Sequence, residues 1–129
     1  MDSTAGYNVL ADGCPSREIM QRLGDKWSPL VLLTLAGGPQ RFSTLREAIG
    51  TVTPKVLTST LRTLERDGLV ARTVTAQVPV RVDYELTALG RSLGEPLEVL
   101  RRWSEQHVPQ ILSARRAYDE AGSTNREKQ

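Results

Sequence analysis

The chain has one cysteine, one histidine and few aromatic residues, which make up 5% of the sequence. A single cysteine, Cys14, rules out an internal disulfide, and with His107 as the only other soft ligand a protein zinc site fails on ligand count. No metal and no cofactor are therefore expected. No run of about eighteen apolar residues occurs, and the stretch from Met1 to Gly13 lacks a basic-then-apolar leader, so a soluble, cytoplasmic protein with no membrane partner is expected. There is also no glycine loop to cradle a phosphate and no pairing of a nucleophile with a base, so the sequence offers no basis for an enzyme.

What is present suffices for one domain. At 129 residues and 39% hydrophobic content the chain can build a single core. The formal net charge is only +2, but it is unevenly distributed. Between positions 41 and 81 lie seven bases (Arg41, Arg46, Lys55, Arg62, Arg66, Arg72 and Arg81) against three acids (Glu47, Glu65 and Asp67), a local excess of four. Location matters more than the total for a polyanionic partner such as nucleic acid.

The centre of that basic segment is TPKVLTSTLRTLERDGLV, residues 53–70. Thr53 can cap orphan amides, Pro54 suits a first helical position, and Gly68 supplies a left-handed end, so a helix is predicted over 53–66. Leu57, Leu61 and Leu64 form its apolar stripe. Lys55, Thr58, Ser59, Arg62, Thr63 and Arg66 form a face of short hydroxyls and long cations, of a kind that fits a DNA groove.

Upstream, 1–13 reads as a flexible arm. Ser16 is expected to cap a helix to about Leu23, with Ile19, Met20 and Leu23 buried. Lys26 to Ala36 is apolar nearly all round and predicts a core helix with Pro29 in its first turn. After the breaker Gly37, Gly38, Pro39, Ser43 is expected to cap a short helix with Leu45, Ala48 and Ile49 inward. A tight connector through Gly50 to Val52 then joins it to the helix at 53–66, the spacing of a helix-turn-helix pair.

Downstream, two runs alternate at period two, from Val70 to Thr75 and from Val80 to Leu86, and predict a hairpin with a loop wider than two residues at Ala76 to Pro79. Thr87 is expected to cap a long terminal helical region, bent near Gly94 and Glu95 by Pro96 and again at Pro109. Its apolar stripe exceeds what a small domain can bury, so a homodimer is predicted. The fold class is mainly α with a small β-hairpin (α+β), a winged helix-turn-helix dimerising through terminal helices. The domain and those helices occupy 14–112, and 113–129 reads as a polar, disordered tail.

The motifs CPSREIMQRLGDKW, LTLAGGPQRFSTLREAI, TPKVLTSTLRTLERDGLV and VPVRVDYELTALGRSL, in this order from Cys14 to His107, resemble the HxlR-type winged-helix transcriptional regulators, relatives of MarR. The resemblance implies a dimeric, cytoplasmic bacterial or archaeal DNA-binding regulator, with repression the more frequent effect. Val80 departs from the pattern, since the family commonly has a second proline there. Some relatives of this kind are thiol sensors with a cysteine at the position of Cys14.

These readings converge on double-stranded DNA with a pseudo-palindromic operator as partner. The recognition helix 53–66 is expected in the major groove with Lys55, Thr58, Ser59 and Arg62 nearest the bases and Thr53, at its start, also on the DNA. Arg41, Ser43, Arg46 and Arg66 are assigned to phosphates, and Arg81 on the wing, 76–82, to the minor groove or its backbone. Cys14, just before a helix, is the candidate for redox control. Trp27 and Trp103 are candidates for a dimer contact or for a pocket taking a small effector. The alternative is a winged-helix protein-interaction module without specific DNA binding, because fold does not fix the partner.

Overall fold

The first helix, α1 (Pro15–Leu23), starts on a proline whose missing amide costs nothing at that position. Its N-cap is Cys14, two residues earlier than expected, and Ser16 is already inside the helix. The protein is described here as a computed structural model covering residues 6–128. It comprises two units, one ending at Gly94 and one beginning at Glu95, and each is described by itself. The expected burial of α1 is corrected: Ile19 and Met20 are exposed, Leu23 is half-buried, and no residue of α1 is fully buried. Of the arm at 1–13, residues 1–5 lie outside the described residues. Within the remainder, Arg17 ties the chain back by donating to the Leu10 carbonyl at 3.3 Å and to Asp12 at 2.6 Å.

Helix α2 (Ser28–Leu35) begins two residues into the apolar run, with Trp27 as its N-cap and Asp25 just upstream. One Asp25 carboxylate oxygen accepts the amides of Trp27 and Ser28 at 2.9 and 2.7 Å, and the other accepts the Ser28 hydroxyl at 3.0 Å. Ser28 can thus be buried without an unsatisfied hydroxyl. Val31, Leu32 and Leu35 are buried behind it and form the post of the core.

Strand β1 (Gln40–Arg41) leads directly into α3 (Phe42–Ile49). Arg41 is the N-cap and no side chain caps α3, so Ser43 does not have the expected role. Leu45 is fully buried, Ile49 is half-buried, and Ala48 faces outward, contrary to expectation. Gly50 turns the chain at φ +95, a conformation that disfavours any other residue. Buried Val52 anchors the connector before α4 (Pro54–Arg66).

Strands β2 (Val70–Thr75) and β3 (Arg81–Leu86) form the expected hairpin around a five-residue loop, 76–80. The sheet has three strands in the order β1-β3-β2, all antiparallel, with Gln40 opposite Tyr84 and Arg72 opposite the same tyrosine. Only the roots of the wing, Val70 and Leu86, reach the core.

Thr87 caps α5 (Ala88–Ser92) as expected, its hydroxyl accepting the Gly90 amide at 3.1 Å. Where the bend is expected, the single residue Leu93 separates α5 from α6 (Gly94–Lys128). Pro96 sits in the first turn of α6, where its missing donor is harmless, and Pro109 lies inside a helix that continues past it. Helix also runs through 113–128, where composition had indicated a tail. On α6, Arg101 pairs with Glu98 and Glu105 along one side. At 100° per residue Val99, Leu100 and Trp103 fall on the opposite side, all exposed. No described helix is long and apolar enough to cross a membrane.

Candidate nucleic-acid interface

Helix α4 divides cleanly into two faces. Leu57, Leu61 and Leu64 are buried at 0, 1 and 0% exposure. Lys55, Ser59, Arg62 and Arg66 recur at spacings of four, three and four, which sets them on the opposite side of the helix, and all four are exposed. Pro54, Lys55, Thr58, Ser59, Arg62 and Thr63 line a shallow open groove. Among the described residues, no ion pair or hydrogen bond engages the side chains of Lys55, Arg62 or Arg66. These cations are free to meet an external anion.

Both ends of α4 are built as its sequence indicates. The Thr53 hydroxyl accepts the Val56 amide at 3.2 Å, and the exposed threonine sits at the mouth of the helix. At the other end Leu69 donates to the Leu64 carbonyl and Gly68 to that of Glu65, each at 3.0 Å, with Gly68 at φ +77. This closing pattern needs the left-handed residue that glycine supplies.

The cations assigned to phosphates differ in their surroundings. Arg41 and Ser43 are exposed around the start of α3. Arg46 is exposed, but its Nε donates to the Val52 carbonyl at 3.3 Å and so braces the turn into α4. On the wing, Arg81 is paired with Asp83 through two contacts, 2.9 and 3.4 Å, rather than standing free. The wing cation without a partner among the described residues is Arg72, which is exposed. Arg72 counts in the charge excess of the sequence but carries no assigned role there, although period two sets it on the same face as Val70. The strand leaves the core after Val70, so that face becomes solvent-accessible from Arg72 onward.

Cys14 is half-buried at the head of α1. The Ser16 hydroxyl lies 3.1 Å from its sulfur, and the Asn8 amide donates to it at 3.3 Å. The Ser16 side chain, then the backbone amides of Asn8 and Ser16, hold the thiol below the ordinary cysteine range against a smaller opposing effect of desolvation. Trp27 is half-buried with the Lys26 ammonium 4.9 Å from its ring centre. Trp103 is exposed and stacks on His107 at 4.5 Å.

This arrangement of α3, tight connector, two-faced α4 and wing coincides with a family match: residues 22–112 fit the model described as HxlR-like helix-turn-helix. The chain belongs to the HxlR-like family. It is 40% identical over 108 residues to the uncharacterized HTH-type transcriptional regulator YtfH of Escherichia coli, covering 84% of this chain and 86% of the relative. The solved structure of ytfH from Salmonella typhimurium is 38% identical with a TM-score of 0.80, over 85% of this chain and 98% of that one. The redox regulator HypR is similar in both its oxidized form (35% identity, TM-score 0.68, 72% of this chain, 96% of that one) and its reduced form (33%, 0.72, 77% and 98%). This HxlR-like chain is thus a transcriptional regulator with a winged helix-turn-helix domain, as its motifs had indicated.

Proposed function

We propose that this HxlR-like regulator binds double-stranded DNA as a homodimer and represses transcription. Each copy lays α4 in a major groove of a pseudo-palindromic operator. The observation that carries this reading is the exposed stripe Lys55, Ser59, Arg62 and Arg66 directly opposite a fully buried leucine stripe. Such a helix has one face committed to its own domain and the other open to a polyanion. Lys55, Thr58, Ser59 and Arg62 reach base edges; Thr53, Arg41, Ser43, Arg46 and Arg66 hold the backbone. The wing follows the adjacent minor groove or its phosphates, with Arg72 joining Arg81 there.

The dimer is supported by the exposed Val99, Leu100 and Trp103 of α6 and the exposed Ile19 and Met20 of α1, apolar surface that a second copy removes from water. Redox control is supported by the acidified Cys14, held by Ser16 and the Asn8 amide, and by the likeness to the redox regulator HypR. An oxidant takes two electrons and two protons as Cys14 forms a disulfide with Cys14 of a second copy or with a small thiol.

Fluorescence anisotropy with the DNA upstream of the regulator's own gene, at two salt concentrations, tests the central claim. Nanomolar-range binding that falls with salt and is lost selectively in Arg62→Ala supports it. Equal affinity for operator and scrambled duplex refutes it.

A further inference from the structure

We infer that Arg22 and Asp67 are positioning residues that set the pose of the recognition helix, a reading that rests on the DNA-binding role proposed above. Asp67 is the C-cap of α4 and Arg22 lies in the last turn of α1, 45 positions earlier in the chain. Arg22 Nη1 meets Asp67 Oδ2 at 2.8 Å, and the two side chains are about three-quarters buried, at 24% and 25% exposure. Among the ion pairs of the described residues, this is the one that joins two different helices. The others link Arg17 to the adjoining loop, Arg81 to its own strand, Arg22 to Glu18 within α1, and Arg101 and Arg102 to their own helix.

The location of the acid is itself informative. A carboxylate at a helix C-terminus lies against the negative end of the helix dipole and the unsatisfied carbonyls there, so it is unfavourable unless a cation meets it. Arg22 supplies that cation. Its second nitrogen is held by Glu18 at 2.8 Å, so the guanidinium spans two carboxylates and has little freedom to swing away. At the same corner the Thr87 hydroxyl donates to the Gly68 carbonyl at 2.5 Å and the Thr87 amide to that of Leu69 at 3.1 Å. At the other end of α4, Arg46 holds the Val52 carbonyl. The helix is therefore fixed at both ends by groups that sit off its cationic stripe. Reading base edges demands placement to within a fraction of an ångström, whereas phosphate attraction tolerates error.

The test compares a duplex selected from a random library by the unaltered regulator with a scrambled duplex, for Arg22→Gln, Asp67→Asn, the double variant and Arg22→Lys, each confirmed folded by circular dichroism. Arg22→Gln and Asp67→Asn should each lower affinity for the selected duplex about tenfold, the scale of one lost base contact, while affinity for the scrambled duplex and the salt slope stay unchanged. The double variant should lose no more than either single change, and Arg22→Lys should recover part of the loss. Hydrogen exchange of the free protein should show faster exchange at residues 63–69 in Arg22→Gln, a readout independent of DNA. Equal loss on both duplexes with a shallower salt slope would make Arg22 a phosphate contact and overturn the inference. Additive losses, or unchanged exchange at 63–69, would also overturn it. If the unaltered regulator shows no preference for any duplex, the DNA-reading role itself fails, and the exchange result alone then decides whether Arg22 holds the helix.

Discussion

Arg81 and Asp83 lie two residues apart on β3, their side chains on one face of the wing and joined at 2.9 Å. The wing therefore presents one neutralised arginine and one free one, Arg72. Arg72→Ala should flatten the salt dependence of operator binding by about one unit of slope, and Arg81→Ala by clearly less. Asp83→Asn should strengthen binding and steepen that dependence by releasing Arg81. Anisotropy titrations across a salt series measure all three, and an Arg81→Ala effect larger than that of Arg72→Ala would reverse the assignment.

Arg62 sits mid-stripe on α4 and has no partner among the described residues. Arg62→Ala should reduce operator affinity by about 1–3 kcal/mol and relax base preference at one position per half-site. Selection of bound sequences from a degenerate operator checks this. Uniform weakening on all sequences would instead place Arg62 on a phosphate.

Gly90 packs where no side chain fits. A β-carbon there would stand 2.1 Å from the Leu69 carbonyl oxygen, which is backbone and cannot rotate away. Gly90→Ala should destabilise the fold by an amount toward the upper end of about 1–3 kcal/mol, read as a lower urea midpoint. Gly94→Ala, which meets nothing within 4 Å, serves as the control and should unfold at an unchanged midpoint.

Because hydrogen bonding by Ser16 and by backbone amides depresses the Cys14 pKa, a larger share of its sulfur is thiolate at neutral pH than in an unfolded chain. Alkylation by iodoacetamide should rise with pH through a midpoint below that of the urea-denatured protein. Ser16→Ala should move that midpoint upward, toward the denatured value. Coincident midpoints for folded and denatured protein would dismiss the activated thiol.

How far the letters sufficed depends on whether a feature is local. Thr53, Pro54 and Gly68 act on the backbone within a few residues, so both ends of α4 could be read directly. Caps assigned to Ser16 and Ser43 failed for the same kind of local reason: Pro15 and Phe42 already occupy the first helical positions. β1 was not legible because a two-residue strand exists only through its partner, with Gln40 and Arg41 opposite Tyr84 and Asp83. Periodicity marked Ile19 and Met20 as apolar neighbours, but it cannot state what covers them. The Arg22–Asp67 contact joins positions with no sequence pattern between them, and only three-dimensional placement reveals it.

Helix α1 buries none of its residues within its own unit, while α4 buries three leucines. On the dimer reading, the two helices should respond differently to dilution. Backbone amides at 15–23 should lose protection as the protein is thinned below its association constant, and those at 54–66 should hold until the whole unit melts. Crowding of copies in the cell would then decide whether the head of α1, with its sulfur, is firm or frayed.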